Sequence, residues 1–236
     1  MSPLGGIDLG GTKIQTAIVG DEHEVLAEAR RPTPTKGGPE DVAAAMAEAL
    51  REAAEKAGIA TGELGGVGVG APGDANEATG VVTGARNLPG WEGSFALAKA
   101  LSEDLGAPVK VGNDVQVAVA AEYHLGAAKD YRTVVGVFWG TGVGGGLILG
   151  GEQWHGRGSA GEIGHMVVER GGARCPCGNR GCMEAYAGRA AMEAEARRRV
   201  KHGDKTILFK LMKERDRPRL TSGIWERALD RDDKMA

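Results

Sequence analysis

The sequence predicts an α/β fold made of two units, and three observations lead there. A strand, a glycine turn and a second strand open the chain at Leu4–Leu9, Gly10–Gly11 and Ile14–Val19. The same pattern returns at Tyr131–Trp139 and Leu147–Leu149, which suggests two related halves. Around both hairpins, apolar runs of strand length alternate with Ala-, Glu- and Lys-rich segments of helical period. The boundary is expected at 112/113, giving an N-terminal α/β domain over 1–112 and a second α/β domain over 113–236.

Each element has its own signal. A third strand is expected over Glu24–Arg30, ended by Pro32 and Pro34. Apolar residues at helical spacing predict a helix over Pro39–Ala57. The run GGVGVG at Gly65–Gly70 reads as a buried strand whose glycines let another element pack close to it. Ala71–Gly93, dense in Gly, Asn and Pro, reads as one long irregular loop, and loops of that length usually serve function. A helix over Phe95–Leu105, a strand over Pro108–Gly112 and a helix over Asp114–Leu125 follow. Helices are also expected near Ala187–Val200, Thr206–Glu214 and Ser222–Leu229, and the charged LDRDDKMA segment is expected to fray.

Composition excludes several partners. The 236 residues carry 29 Lys+Arg against 32 Asp+Glu, so no basic excess exists to neutralise a phosphate backbone. Only 4 Trp, 3 Tyr and 3 Phe are present to stack bases, which adds to the case against nucleic acid. No apolar stretch approaches the ~20 residues of a membrane span. MSPLGGIDLGGTK has neither the charged leader nor the apolar core of a signal peptide, so a cytoplasmic location is expected. The 40 glycines stand out, and they gather in short clusters of the kind used where backbone approaches a ligand.

Four constellations carry chemistry. In Asp8-Leu9-Gly10-Gly11-Thr12-Lys13 the lysine follows the threonine, so the order is not that of a Walker loop. Turn amides, the Thr12 hydroxyl and the Lys13 ammonium can still surround phosphate oxygens, with Asp8 placed to hold hydrated Mg²⁺. A plain glycine hairpin accounts for the same residues. Gly140-Thr141-Gly142-Val143-Gly144-Gly145-Gly146 contains a G-x-G-x-x-G match, but a strand follows it rather than a helix. That context rejects a Rossmann site and favours a second phosphate-facing hairpin.

Gly112-Asn113-Asp114 joins a strand to a helix. A carboxylate there can accept a hydroxyl proton, and either Asn113 or Asp114 can instead cap the helix. Lastly, His165, Cys175, Cys177 and Cys182 make a Cys₃His set with no open position, which reads as structural Zn²⁺. Free thiols are the alternative. The Glu162…His165 pair does not read as a carboxylate-bridged metal site, because Gly161 and Gly164 disfavour a helix and no second such pair exists.

The motifs DLGGTK, GAPG, NLPGW, GND, GTGVGGG, GEIGH and CPCGNRGCME, over roughly residues 4–190, resemble the ROK family of sugar kinases and related repressors. The resemblance implies the actin-like, hexokinase-like ATPase fold with its ribonuclease H-like motif. It also implies ATP-dependent phosphorylation of a hexose, glucose to glucose 6-phosphate being favoured. Asp114 is then the general base. Gly73, Asn87, Asn113, Glu162, His165 and Glu184 contact the sugar. Asp8, Gly10, Gly11, Thr12 and Lys13 form one phosphate site, and Gly140, Thr141 and Gly142 the other. ATP and Mg²⁺ are the implied cofactors beside Zn²⁺, and a homodimer the implied assembly. The family's closing strand, glycine turn and helix are not recognised after Gly188, so the second domain is expected to be truncated, exposing an apolar sheet face. A catalytically impaired sugar-binding fragment and a ROK-type regulator lacking its DNA-binding domain are the alternatives.

Overall fold

The computed structural model describes residues 2–236 and divides into two compact units, the first ending at Asp130 and the second spanning Tyr131–Ala236. In the first unit the order is β1 (Leu4–Leu9), β2 (Lys13–Val19), β3 (Val25–Pro32), α1 (Pro39–Ala57) and β4 (Gly66–Ala71). Then come β5 (Asp74–Asn76), β6 (Val81–Thr83), β7 (Ser94–Phe95), α2 (Leu97–Leu105), β8 (Val109–Asn113) and α3 (Asp114–His124). The second unit has β9 (Val134–Trp139), β10 (Val143–Leu149), β11 (Glu152–Gln153), α4 (Glu184–Ala187), α5 (Arg189–Lys201), α6 (Leu208–Glu214) and α7 (Ser222–Leu229).

The main sheet of the first unit has the order β3-β2-β1-β4-β8. Its first three strands form an antiparallel meander, while β1, β4 and β8 run parallel. Strand alternation sorts the side chains. Ile7, Leu9, Ile14, Ile18, Val67 and Val69 are buried and share one core with Val42, Met46 and Leu50 of α1. Helix α1 starts at Pro39, where Asp41 Oδ2 accepts from the Gly38 N–H at 2.8 Å, and stops at left-handed Gly58.

The alternate positions, Gly66, Gly68, Gly70 and Gly112, put almost no bulk on the other face. There α3 lies directly on the sheet. A Cβ on Gly70 would stand 3.4 Å from Asp114 Cα, and one on Gly112 would stand 2.7 Å from Val117 Cγ2. The glycines of the β4 strand thus seat α3, whose packing explains why the first unit extends to Asp130 instead of ending at 112. Beside α3 this face opens into a groove of about 1320 Å³ with Asp8 and Asp114 among its lining residues and Leu4 and Leu125 exposed in it.

Three sequence expectations need correction. Ala71–Gly93 is not one irregular loop, because β5 and β6 pair antiparallel within it and β7 joins them. Their three- and two-residue strands are too short to show a period of two. The glycines Gly144–Gly146 lie inside β10, which pairs with β9 from Val143 onward. The charged segment after Leu229 is pinned, not frayed. Asp233 accepts hydrogen bonds from Ile207 N at 2.7 Å, Thr206 Oγ1 at 3.1 Å and Met235 N at 2.9 Å. Burial would raise the Asp233 pKa, but these donors together hold it below the usual carboxylate range.

Candidate active site

In the first unit the candidate residues gather where the parallel strands end. Asp8 pairs in register with Gly70, and Gly70 with Gly112. Ligands of open α/β sheets bind beyond such carboxyl ends. The turn after β1 is closed by Gly10 N donating to Lys13 O at 2.9 Å, and Thr33 Oγ1 buttresses it by donating to Gly10 O at 2.6 Å. Lys13 Nζ donates to Gln15 Oε1, which keeps its ammonium along β2. Asn87 lies over the same turn: a Cβ on Gly11 would be 3.0 Å from Asn87 Nδ2. Thus Asp8, Gly10, Gly11, Thr12, Lys13 and Asn87 are brought together.

The helix-start question is decided by geometry. Asn113 is the cap of α3, its Oδ1 accepting from Val115 N at 3.1 Å and Gln116 N at 3.2 Å. Its Nδ2 donates to Gly73 O at 3.1 Å, so one carboxamide ties the loop after β4 to the start of α3. Gly73 has φ +91, and a Cβ there would sit 2.7 Å from Thr83 O. Asp114 is therefore the first residue inside the helix. Its Oδ1 accepts from Val115 N at 2.9 Å, at the helix N-terminus.

In the second unit a hairpin turn spans Gly140–Gly142, with Gly140 N donating to Gly142 O at 2.9 Å. Following it, β10 is pressed by the Glu162–His165 turn, because Gly161 and Gly145 have no side chains to separate them: a Cβ on Gly161 would be 2.7 Å from Gly145 O. The sequence assigned Gly140, Thr141 and Gly142 to the phosphate turn and gave Gly145 no separate task; Gly145 serves to admit the neighbouring loop.

That loop carries a metal-ligand cluster. One donor atom each from His165, Cys175, Cys177 and Cys182 lies within 4.8 Å of the others. Cys177 Sγ and Cys182 Sγ are 3.7 Å apart, and Cys175 Sγ is 3.7 Å from His165 Nδ1. Tetrahedral zinc with bonds of about 2.3 Å to sulfur would set its thiolates about 3.8 Å apart, so the donor set and spacing fit the ion. His165 turns Nδ1 to the cysteines and Nε2 to Glu162 Oε2 at 3.8 Å, the carboxylate–histidine arrangement that orients a ligating ring. Burial raises Cys175 to about 12 and also raises Cys182, whereas a backbone hydrogen bond from Asn179 lowers Cys177.

Glu184 stands between the cluster and the hairpin, its Oε2 accepting from Val143 N at 2.8 Å and its Oε1 lying 3.8 Å from Cys175 Sγ. The sequence reading gave no role to Arg189, whose Nη2 donates to Thr141 Oγ1 at 3.3 Å. A cation one helix start beyond the cysteine motif was its only sequence signal.

Comparison with known proteins gives consistent findings. The ROK family profile matches residues 4–228. Among curated relatives, a glucokinase of Thermotoga maritima is 34% identical over 87% of this chain and 63% of its own length. A glucokinase of Streptomyces coelicolor is 37% identical over 83% of this chain and 59% of its own. An N-acetyl-D-glucosamine kinase of Haemophilus influenzae is 34% identical over 77% and 61%. The chain therefore spans roughly three fifths of the length of the curated relatives it matches.

Among solved structures, a Streptomyces griseus ROK glucokinase in complex with glucose and AMPPNP aligns with TM-score 0.83 at 30% identity, covering 99% of this chain and 72% of that one. A Thermus thermophilus ROK hexokinase aligns with TM-score 0.73 at 37% identity, covering 90% and 69%. A ROK-family transcriptional regulator, a homologue of E. coli MLC, gives 0.76 at 26%, covering 87% and 52%. The fold is the actin-like, hexokinase-like ATPase fold.

Proposed function

Because the chain belongs to the ROK family, we propose that it serves ATP-dependent phosphorylation of a hexose hydroxyl, with glucose the favoured acceptor. The observation that carries this reading is the seat of Asp114. It is the first residue of a capped helix, laid on glycines at the carboxyl ends of β4 and β8, and it lines one groove with Asp8. Asp114 takes the proton from a sugar hydroxyl while that oxygen bonds to the γ-phosphorus and the bond to the ADP oxygen breaks. The turns at Gly10–Lys13 and Gly140–Gly142 would each hold phosphate oxygens, and Asp8 would hold hydrated Mg²⁺, which would supply neutralisation of developing charge. The family resemblance assigns sugar contacts to Gly73, Asn87 and Asn113 in the first unit and to Glu162, His165 and Glu184 in the second. The Cys₃His cluster holds zinc with a structural task, since four protein donors leave no position for chemistry.

Glucokinases among the relatives favour glucose over the N-acetylhexosamines, and the kinases among them favour an enzyme over a regulator or an impaired remnant. The test is Asp114→Asn assayed with a hexose panel and ATP. Turnover falls by at least about a hundredfold, the scale of general-base catalysis, while sugar binding by calorimetry stays near wild type. Binding lost in step with turnover would make Asp114 a structural residue and overturn the assignment.

A further inference from the structure

Resting on the kinase reading, we propose that Glu184, besides its sugar contact, ties the metal cluster to the glycine hairpin, so that filling the cluster fixes the hairpin and tightens nucleotide binding. The two carboxylate oxygens face different ways. Oε2 accepts from the Val143 N–H at 2.8 Å, at the foot of the Gly140–Gly142 turn, and Oε1 faces Cys175 Sγ at 3.8 Å. Gly142 has no side chain where a Cβ would run into Glu184 Oε2, so the turn is shaped around this carboxylate.

The segment that begins with Glu184 grips the hairpin at further points. Arg189 N donates to Gly140 O and Ala190 N to Thr141 O, each at 3.2 Å. The Arg189 guanidinium reaches Thr141 Oγ1 at 3.3 Å, and Trp139 Nε1 donates to Ala187 O at 2.7 Å. The turn is therefore held from outside by one stretch, Glu184–Ala190.

That stretch is anchored to the cluster by chain length alone. Glu184 follows the ligand Cys182 by two residues, and two residues reach at most about 7 Å. Ala185 N also donates to Cys182 O at 3.0 Å, closing this step into a turn. A metal ion that immobilises Cys182 thus holds the chain two residues before Glu184, and with it the carboxylate that accepts from the Val143 N–H. The hairpin's amides are then preorganised for phosphate oxygens before nucleotide arrives.

The experiment compares zinc-loaded and chelator-treated protein by amide exchange at Val143 and by calorimetry with AMPPNP. Zinc is expected to slow Val143 exchange and to tighten AMPPNP by about tenfold each, the scale of one hydrogen bond. Glu184→Gln keeps an oxygen acceptor and preserves both effects. Glu184→Ala still binds zinc but shows neither. Zinc that changes neither quantity in the wild type overturns the proposal, as does a Glu184→Ala protein that keeps the zinc effect. AMPPNP binding to neither form defeats the kinase reading instead. In that case zinc-dependent protection of Val143 upholds the tether and its absence overturns it.

Discussion

Replacing Gly70 first by alanine and then by valine measures how closely the sheet seats the candidate base. A Cβ at this position meets Asp114 Cα at 3.4 Å, Asp114 Cβ at 3.9 Å and Ile7 O at 4.0 Å, all ordinary contacts. Alanine therefore fits with α3 in place. Valine adds two methyls about 1.5 Å further out, and both cannot avoid a helix start already in contact. The start of α3 must lift by roughly 1 Å, a misplacement worth about a hundredfold in rate when it moves a reacting group. Overpacking costs about 1–3 kcal/mol besides, a fall of several degrees in melting temperature.

The assay is kcat and KM for glucose and ATP in wild type, Gly70→Ala and Gly70→Val, with thermal melts of each. Gly70→Ala should stay within about threefold of wild type, while Gly70→Val loses about a hundredfold in kcat while still folded. A folded Gly70→Val with unchanged kcat would refute the seat argument. So would a Gly70→Ala as damaged as the valine variant.

Two further outcomes follow from the second unit. Zinc loading should raise its melting temperature, and Cys182→Ala should abolish that shift; cobalt(II) loading should give the absorption of a tetrahedral thiolate site, and its absence would remove the metal reading. Acidification should melt the cluster around Leu208, Leu211 and Ile224, because Glu193 accepts from Arg197 at 2.6 Å and from Leu220 N at 3.0 Å. Burial alone would raise Glu193, but these partners hold it low, as the donors around Asp233 do there. Stability from both carboxylates is thus complete above their unfolded values and drains as pH falls through the lower folded ones. Glu193→Gln should cost about 1–3 kcal/mol at neutral pH and flatten the acid limb of the melting curve; an unchanged limb would refute it.

Much of this was legible in the chain itself, and the parts that were not share a cause. Local patterns mark their own elements. Leu4–Leu9 and Pro39–Ala57 form where period and composition put them, because alternation and helical spacing are properties of neighbouring residues. The Cys₃His set was legible for the same reason, as donor types at close spacing. What the chain left open was which of Asn113 and Asp114 caps α3, since both can; Asn113 Oδ1 takes the cap bonds while its Nδ2 reaches Gly73 O, forty residues away in sequence, and so fixes the carboxamide's orientation. The glycines were visible as a surplus but not as distinct devices. Gly70 seats a helix, Gly145 admits the loop before the cysteines and Gly142 makes room for Glu184, and each role belongs to the neighbour brought against it. Sequence alone determined the longer strands, the longer helices and the metal donors, since these depend on residues close along the chain. Tertiary structure decided the cap, the use of each glycine and the link from the cysteines to the hairpin, since these depend on contacts that exist only once distant segments pack.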